Sequence, residues 1–457
     1  MIEVQIAGAG AGKTFGLAES LIAHMKSCSS HKKIFALTYT NTATSKIEEE
    51  VIKQHGFIPY NLCIQTVHSF LLNEIVYPFS SYTLGDVYNN TTIMPVGNPK
   101  YKAILFKRLR EKNVIHAENV YNISKQIVDE KIRKHNTIAK KKKVKRLLSI
   151  LSNCFEKIFI DEVQDLDSDA LRFFEVLGCN DIDIYMIGDP KQAIKYPNAL
   201  DTFVCKLASV EYAKILNINN ISRRVPNEIL AISNEFCFQG QSQISSSTTV
   251  GELFYLESTD MKYNQHIRNY IESKQIVCID KKNGKYSTSS KQRYSFPYEI
   301  EEMIRESNHQ KDEKLVIKAA FSDFIGTFFK LGTKKAISNL INQYSLKLEK
   351  KHFAQLYELC DKCAENDVQF KVSSIESVKG LDSDICVMIL TTNTLKYFLR
   401  MDLKKDEYFN KEWKKVYVAL TRAKQRLILA LDHELLSGID IEKLKIQLEK
   451  LGFEKHK

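Results

Sequence analysis

The sequence lacks any run approaching the eighteen or so apolar residues of a membrane-spanning helix. Its opening, MIEVQIAGAG, also lacks the basic-then-apolar layout of an export signal. Ten cysteines are scattered along the chain, and only Cys360 and Cys363, in CDKC, stand close together. With no second pair nearby, a four-thiolate metal site is not expected, and reduced thiols in a cytoplasmic protein are the economical reading. Acidic residues are the scarcer charge, 55 Asp and Glu against 66 Lys and Arg, a formal balance of +11. That surplus favours a polyanionic partner, although ribosomal contacts, acidic membranes or plain solubility would produce it too. At 457 residues the chain exceeds one ordinary core and calls for roughly two to four domains.

What is present begins at residues 7–14, AGAGAGKT. VQIAGAG reads as a short strand and TFGLAESLIAHM as a helix with an apolar face. Between them the backbone N–H groups of Gly8, Ala9, Gly10, Ala11 and Gly12 can wrap a phosphate at the helix N-terminus. Lys13 supplies a point charge to the outer phosphates and Thr14 a hydroxyl ligand for Mg²⁺. The strict phosphate-loop pattern asks for glycine at position 7, where this chain has Ala7; a glycine-rich turn without a ligand is the plain alternative. About 150 residues on, IFIDEVQD places Asp161 and Glu162 at the end of an apolar strand, the edge at which open α/β sheets bind ligands. Asp161 can hold Mg²⁺ through water and Glu162 can polarise the attacking water. A third apolar stretch, IDIYMIGDPKQ, ends at Asp189 and Gln192, and Gln192 is suited to sensing the γ-phosphate or the attacking water.

Taken in order, these segments resemble the superfamily 1 DNA helicases of the UvrD/Rep type. AGAGAGKT is similar to that group's own loop, including the first alanine. ALTYTNTATSKIEEEV resembles its strand, Thr-rich turn and helix, with Thr38, Tyr39, Thr40 and Asn41 contacting the DNA backbone or supporting the strand. QTVHSF resembles the next DNA-facing motif, with Thr66, His68 and Phe70 matching. In NISRRVPNEIL, Arg224 aligns with an arginine that reaches the γ-phosphate across the cleft. In SSIESVKGLDSDICVMIL, Glu376, Lys379, Gly380 and Asp382 look like the motif coupling nucleotide to DNA. VYVALTRAKQRLIL resembles the last motif, with Tyr417, Thr421 and Arg422.

The resemblance implies an α/β fold of two RecA-like parallel-sheet lobes with inserted helical subdomains. It implies ATP and Mg²⁺ as cofactors, catalytic roles for Glu162, Gln192, Arg224 and Arg422, and 3′ to 5′ movement on single-stranded or partly duplex DNA. The expected first lobe is 1–75 with 155–240, interrupted by a basic insertion at 76–154. The expected second lobe is 241–305 with 366–457, around a reduced insertion at 306–365, and TRAKQRLILAL is expected to close its sheet. The family's usual aromatic-x-aromatic-Arg-Gly segment is replaced by Lys195, Tyr196, Pro197, Asn198 and Ala199, which leaves Tyr196 to stack on a base. No clustered carboxylates suggest a nuclease, so coupled cleavage needs a separate polypeptide, in repair or in an anti-phage system. A nucleotide-state switch that regulates such a partner is the rival reading.

Residues 131–146 carry nine Lys or Arg, a density that suits phosphate contact as well as a solvated helix face. Replacing Lys140, Lys141, Lys142 and Lys143 with Gln is expected to weaken binding to different DNA sequences about equally. It should also flatten the slope of log affinity against log salt, because fewer counterions are released. A salt titration by fluorescence anisotropy that returns the wild-type slope and affinity reduces the run to a solvated face.

Overall fold

The computed structural model describes residues 1–27, 31–93, 102–237, 240–288, 295–307, 313–364, 370–407 and 409–456. The reduced insertion expected at 306–365 therefore lies in part, at 308–312 and 365, outside the described residues.

The first sheet is built from β1 (Ile2–Ile6), β2 (Lys33–Thr38), β3 (Leu62–Thr66), β4 (Phe155–Ile160), β5 (Asp183–Gly188) and β6 (Ala213–Ile215). Its strand order is β3-β2-β4-β5-β1-β6, with every pairing parallel. Strands such as KIFALT and DIYMIG are buried at every position but the first, as expected where helices cover both faces of a parallel sheet. The register brings the strand ends together: the N–H of Asp161 donates to Leu37 O at 2.8 Å and that of Ala7 to Gly188 O at 3.0 Å. One edge of the sheet thus collects the phosphate-type loop after β1, the Thr-rich turn after β2, the carboxylate pair after β4 and Asp189 after β5.

The second sheet uses β7 (Glu252–Glu257), β8 (Ile276–Ile279), β9 (Tyr286–Thr288), β10 (Phe370–Ser374), β11 (Ser383–Ile389), β12 (Ala423–Leu431) and β13 (Glu454–Lys455). It is also parallel, in the order β9-β10-β8-β11-β12-β7-β13. The AKQRLILAL strand β12 does not close this sheet. It lies inside, between β11 and β7, because five consecutive buried residues at its end need neighbours on both sides. The short β13 forms the edge beyond β7. Two parallel sheets flanked by helices, the first opening on a glycine-rich strand–loop–helix, make the α/β fold of paired RecA-like lobes.

Five helices matter for the site: α1 (Lys13–Ser27), α2 (Asn41–His55), α3 (Ile138–Cys154), α4 (Asn227–Asn234) and α5 (Lys411–Leu420). Thr137 caps α3 by accepting from the Lys140 N–H at 3.3 Å. Val144, Leu147, Leu148 and Leu151 form its buried stripe, the spacing of one helical face. Lys140 to Lys143 project from its exposed first turns, with the Lys143 ammonium 5.2 Å above the Tyr82 ring. The helices between β3 and β4 share one core with the sheet: Val120, Ile123, Val144 and Leu147 pack with Phe35, Leu37 and Ile158. A separate helical cluster holds Phe324, Leu340, Leu356, Cys360 and Cys363, and it also takes in Phe296, Ile300 and Ile304, ahead of the expected start at 306. Cys360 and Cys363 are buried in that apolar core, and burial raises both thiol pKa values, that of Cys363 to about 11.

Phe70 requires a correction. It has no exposed surface, and its ring packs 4.9 Å from Phe35, 5.9 Å from Phe155, 6.4 Å from Phe173 and 6.2 Å from Phe174. An unsubstituted aromatic ring gains most where it leaves water completely, so Phe70 is a core residue and not a DNA contact. Phe70→Ala is expected to lower unfolding stability by about 3–5 kcal/mol, read from urea denaturation. A loss below ~1 kcal/mol would contradict the tight ring packing.

Candidate nucleotide and nucleic-acid site

The loop after β1 is shaped by glycine at two positions where φ is positive, Gly10 (+71°) and Gly12 (+73°), conformations that side chains with a Cβ resist. Lys13 begins α1, is nearly buried, and donates from Nζ to Gly8 O at 3.3 Å. The Thr14 hydroxyl donates to Asp161 Oδ2 at 3.0 Å, tying the loop to the end of β4. Asp161 Oδ1 accepts the N–H of Glu162 at 2.8 Å. Burial first, and the Glu162 carboxylate next, push Asp161 up to about 6. Burial also acts to raise Glu162, but Lys13, Lys379 and the amide of Gln164 outweigh it and hold Glu162 below the ordinary carboxylate range. Glu162 adopts φ +55°, a left-handed conformation costing a non-glycine residue of order 1–3 kcal/mol, which is tolerated where surrounding structure enforces it. Here Gln164 does so, donating to Glu162 Oε2 while its own Oε1 accepts the Asp189 N–H at 3.0 Å. Thr14 and Asp161 present adjacent oxygens that fit a divalent cation.

The second sheet completes the cleft. Gly10, Gly12, Lys13, Thr14, Glu162 and Gln192 line it from one side, Gly380, Asp382 and Arg422 from the other, with Arg224 from the connecting segment. Arg422 is 1% exposed. It donates to Val418 O at 2.9 Å, Leu381 O at 2.9 Å, Thr421 Oγ1 at 3.1 Å and, across the cleft, Gln192 Oε1 at 3.4 Å. Burial, reinforced by the neighbouring Arg224 charge, lowers its pKa to about 10. Arg224 pairs with Asp382 at 3.3 Å and donates to Thr421 O at 3.2 Å. Gln192 donates to Asp189 Oδ2 at 2.9 Å. Lys379 makes an ion pair with Asp165 across the lobes. Glu376 instead turns to Lys411 at 2.8 Å and Lys415 at 3.5 Å on α5, away from the cleft lining.

Residues 2–197 match the AAA domain family described as AAA_19. A 280-residue stretch is 29% identical to the Gabija protein GajB of Bacillus cereus (strain VD045) and covers 60% of this chain. The chain spans about half, 54%, of that relative's length. Among solved structures, the Arterivirus nonstructural protein 10 helicase aligns at 12% identity over 98% of this chain and 61% of its own, TM-score 0.39. A complex of that helicase with DNA aligns at 12% identity over 94% of this chain and 59% of its own, TM-score 0.36. Over residues 2–197 the chain is similar to that AAA family, and its motifs resemble those of the superfamily 1 helicases of the UvrD/Rep type.

The motif residues assigned to DNA by this resemblance divide into three groups. Tyr39 and Tyr196 come together around Lys195, whose ammonium lies 2.5 Å from the Tyr39 hydroxyl and 5.1 and 5.2 Å from the two rings. His68 sits beside this group, 4.7 Å from the Tyr121 ring and 3.3 Å from Ala117 O; burial lowers its pKa and keeps it neutral at pH 7. Asn41 is exposed at the start of α2, where Thr40 caps the helix by accepting from the Ala43 N–H at 3.2 Å. Thr38 and Thr66 are paired in the sheet. Thr38 is fully buried and so supports the strand, whereas Thr66 caps the next turn by accepting from Ser69 N–H at 3.2 Å. Lys140 to Lys143 stand apart on α3.

Several residues of this region were not foreseen from the motifs: Phe15, Lys46, Gln164 and Lys195. Lys46, on α2, donates to Gly380 O at 3.2 Å, and its position one turn beyond the Thr-rich cap was the available signal. Gln164 lay in the quoted IDEVQD, but only the reversal at Glu162 turns its amide onto the carboxylate. Glu162→Gln is expected to retain Mg-nucleotide binding and to cut steady-state phosphate release by at least ~100-fold, the usual scale for losing a general base. Arg422→Ala should likewise lower turnover far more than nucleotide affinity. Wild-type turnover from either variant removes that residue from the reacting centre.

Proposed function

We propose that this chain is a DNA-stimulated ATPase that uses Mg-ATP to move 3′ to 5′ along single-stranded DNA. The observation that carries the reading is the cleft in which Lys13, Thr14 and Glu162 from one sheet face Arg422 from the other, with buried Asp161 bonded to Thr14 behind them. Of the loop's N–H groups, those of Gly8, Ala9 and Ala11 are already paired with Asn219 O, Gln243 Oε1 and Gly8 O, which corrects the expectation that all five wrap phosphate. Gly10 and Gly12 would face the phosphates, and Thr14 and Asp161 would hold a Mg²⁺ that would neutralise phosphate charge. Glu162, kept ionised by Lys13, Lys379 and Gln164, accepts a proton from the attacking water. Gln192 orients that water, and Arg224 and Arg422 stabilise charge on the transferring phosphoryl group as the lobes close. Residues 1–75 with 155–240, and 241–305 with 366–457, are the two moving lobes of this reading, with 76–154 and 306–365 inserted in them.

DNA would cross the strand ends at Tyr39, Asn41, His68 and Tyr196, with Lys195 between the two tyrosines as a phosphate-binding cation. Ion pairs that cross the lobes, Lys379 with Asp165 above all, would pass closure from the nucleotide to this surface. The similarity to the Gabija protein supports a place in a bacterial antiviral defence system, alongside a separate nuclease, over a role in general repair. A second reading, a nucleotide switch that regulates such a partner with little unwinding, is favoured by one feature. The segment after Gln192 offers a single aromatic, Tyr196, and the next residue, Pro197, is tied through its carbonyl to Lys414 of α5.

Single-stranded DNA is expected to stimulate phosphate release strongly, and stopped-flow traces on strands labelled at either end should report arrival at the 5′ end. A forked duplex in the same buffer should be unwound poorly by the chain alone. Stimulation without a directional signal selects the switch, and fast processive unwinding refutes the reading of the reduced insertion.

A further inference from the structure

The loop that would hold phosphate is gripped from behind by a residue outside every motif. Gln243 is 3% exposed and follows α4 in the chain. Its side-chain amide pairs with both backbone polar groups of one residue: Oε1 accepts the Ala9 N–H at 3.1 Å and Nε2 donates to Ala9 O at 2.8 Å. Its own backbone is fixed the same way by Asn234, the last residue of α4, whose Oδ1 accepts the Gln243 N–H at 2.8 Å and whose Nδ2 donates to Gln243 O at 2.9 Å. The Tyr417 hydroxyl of α5 completes the group, donating to Gln243 Oε1 at 2.8 Å with Asp189 Oδ2 as a second acceptor at 3.3 Å. Ala9 itself packs among side chains of the second sheet's core.

Gly8 supplies independent support. Unlike Gly10 and Gly12 it is not at positive φ, so backbone conformation does not demand glycine there. A Cβ at Gly8 would lie 2.3 Å from the Gln243 amide carbon and 2.4 Å from its nitrogen. The side chain of Gln243 is what requires the loop's first glycine.

We propose that Gln243 is a positioning residue for nucleotide binding: by holding the Ala9 peptide it presets the first half of the phosphate loop, and it couples that half to α4 and α5. The inference rests on the nucleotide-site reading above. A free loop could turn the Ala9 carbonyl toward the phosphates, where it would repel them. With Ala9 N–H and C=O both engaged by Gln243, the N–H groups of Gly10 and Gly12 are left to face the ligand. Because α4 follows Arg224 and α5 precedes Arg422, the same contact makes the loop's shape depend on the elements that carry the two arginines.

The full chain tests this with a fluorescent ATP analogue titrated without DNA, together with kcat and KM for ATP at saturating single-stranded oligonucleotide. Losing two buried neutral hydrogen bonds is expected to raise Kd and KM in Gln243→Ala roughly 10-fold, with kcat within about twofold of wild type, since the loop holds ground state and transition state alike. Gln243→Glu keeps the acceptor for Ala9 N–H and loses the donor to Ala9 O, so its KM should remain raised even if the alanine variant does not fold. Tyr417→Phe should raise KM less, and the Tyr417→Phe/Gln243→Ala pair should match Gln243→Ala alone. Wild-type KM in Gln243→Ala or Gln243→Glu, or a fall in kcat at unchanged KM, overturns the assignment while leaving the ATPase reading intact. Failure of the wild-type chain to bind Mg-ATP overturns that reading and this one together.

Discussion

A guanidinium is held almost out of water at the junction of two sheets, and among the described residues its hydrogen bonds all end on neutral oxygens. Arg422 reaches Val418 O, Leu381 O, Thr421 Oγ1 and Gln192 Oε1, and its lowered pKa expresses the cost of that confinement. An isolated buried charge is expensive unless a counter-charge arrives. The arrangement therefore favours an anion in the cleft, and the residues opposite, Lys13 and the glycine loop, are those proposed to hold phosphate. In the proposed reading, closure and ligand binding would be one event, because the arginine belongs to one lobe and the loop to the other.

The rest of the interface follows the same logic of polar groups that cross between lobes. Lys379 meets Asp165, Lys46 meets Gly380 O, Lys414 meets Pro197 O, and Gln243 with Tyr417 meets Ala9. Helix α5 supplies two of these groups, Lys414 and Tyr417, three residues apart on one helical face, and Arg422 follows just past its end. Movement of this one helix therefore reaches the nucleotide loop, the γ-phosphate side of the cleft and the segment carrying Tyr196.

Strain is concentrated where chemistry is expected. Glu162 takes a left-handed backbone and lies next to a buried carboxylate whose pKa is raised to about 6. Gln164 holds the first feature; the second comes from burial and the Glu162 charge and is opposed by Lys13 and the Thr14 hydroxyl. A divalent cation would relieve the second by supplying positive charge between the paired carboxylates and the phosphate.

The sequence by itself determined the local elements and the order of the motifs. Apolar runs ending in AGAGAGKT, IFIDE and MIGDPKQ specify parallel strands whose ends carry polar residues, and that pattern needs only the alternation and burial rules of a covered sheet. It could not separate Thr38 and Phe70, which pack inward, from Tyr39 and His68 beside them, because helix and strand phase within a short motif is set by the neighbours it packs against. Nor could it place AKQRLILAL inside its sheet, since strand order is decided by crossover connections between distant segments. Gln243 lies in no motif, and Lys195 stands where the family's aromatic segment is replaced. Their placement beside the loop and the tyrosines is a property of distance: an amide 234 residues along the chain from Ala9 becomes its hydrogen-bond partner only once two sheets have folded and met.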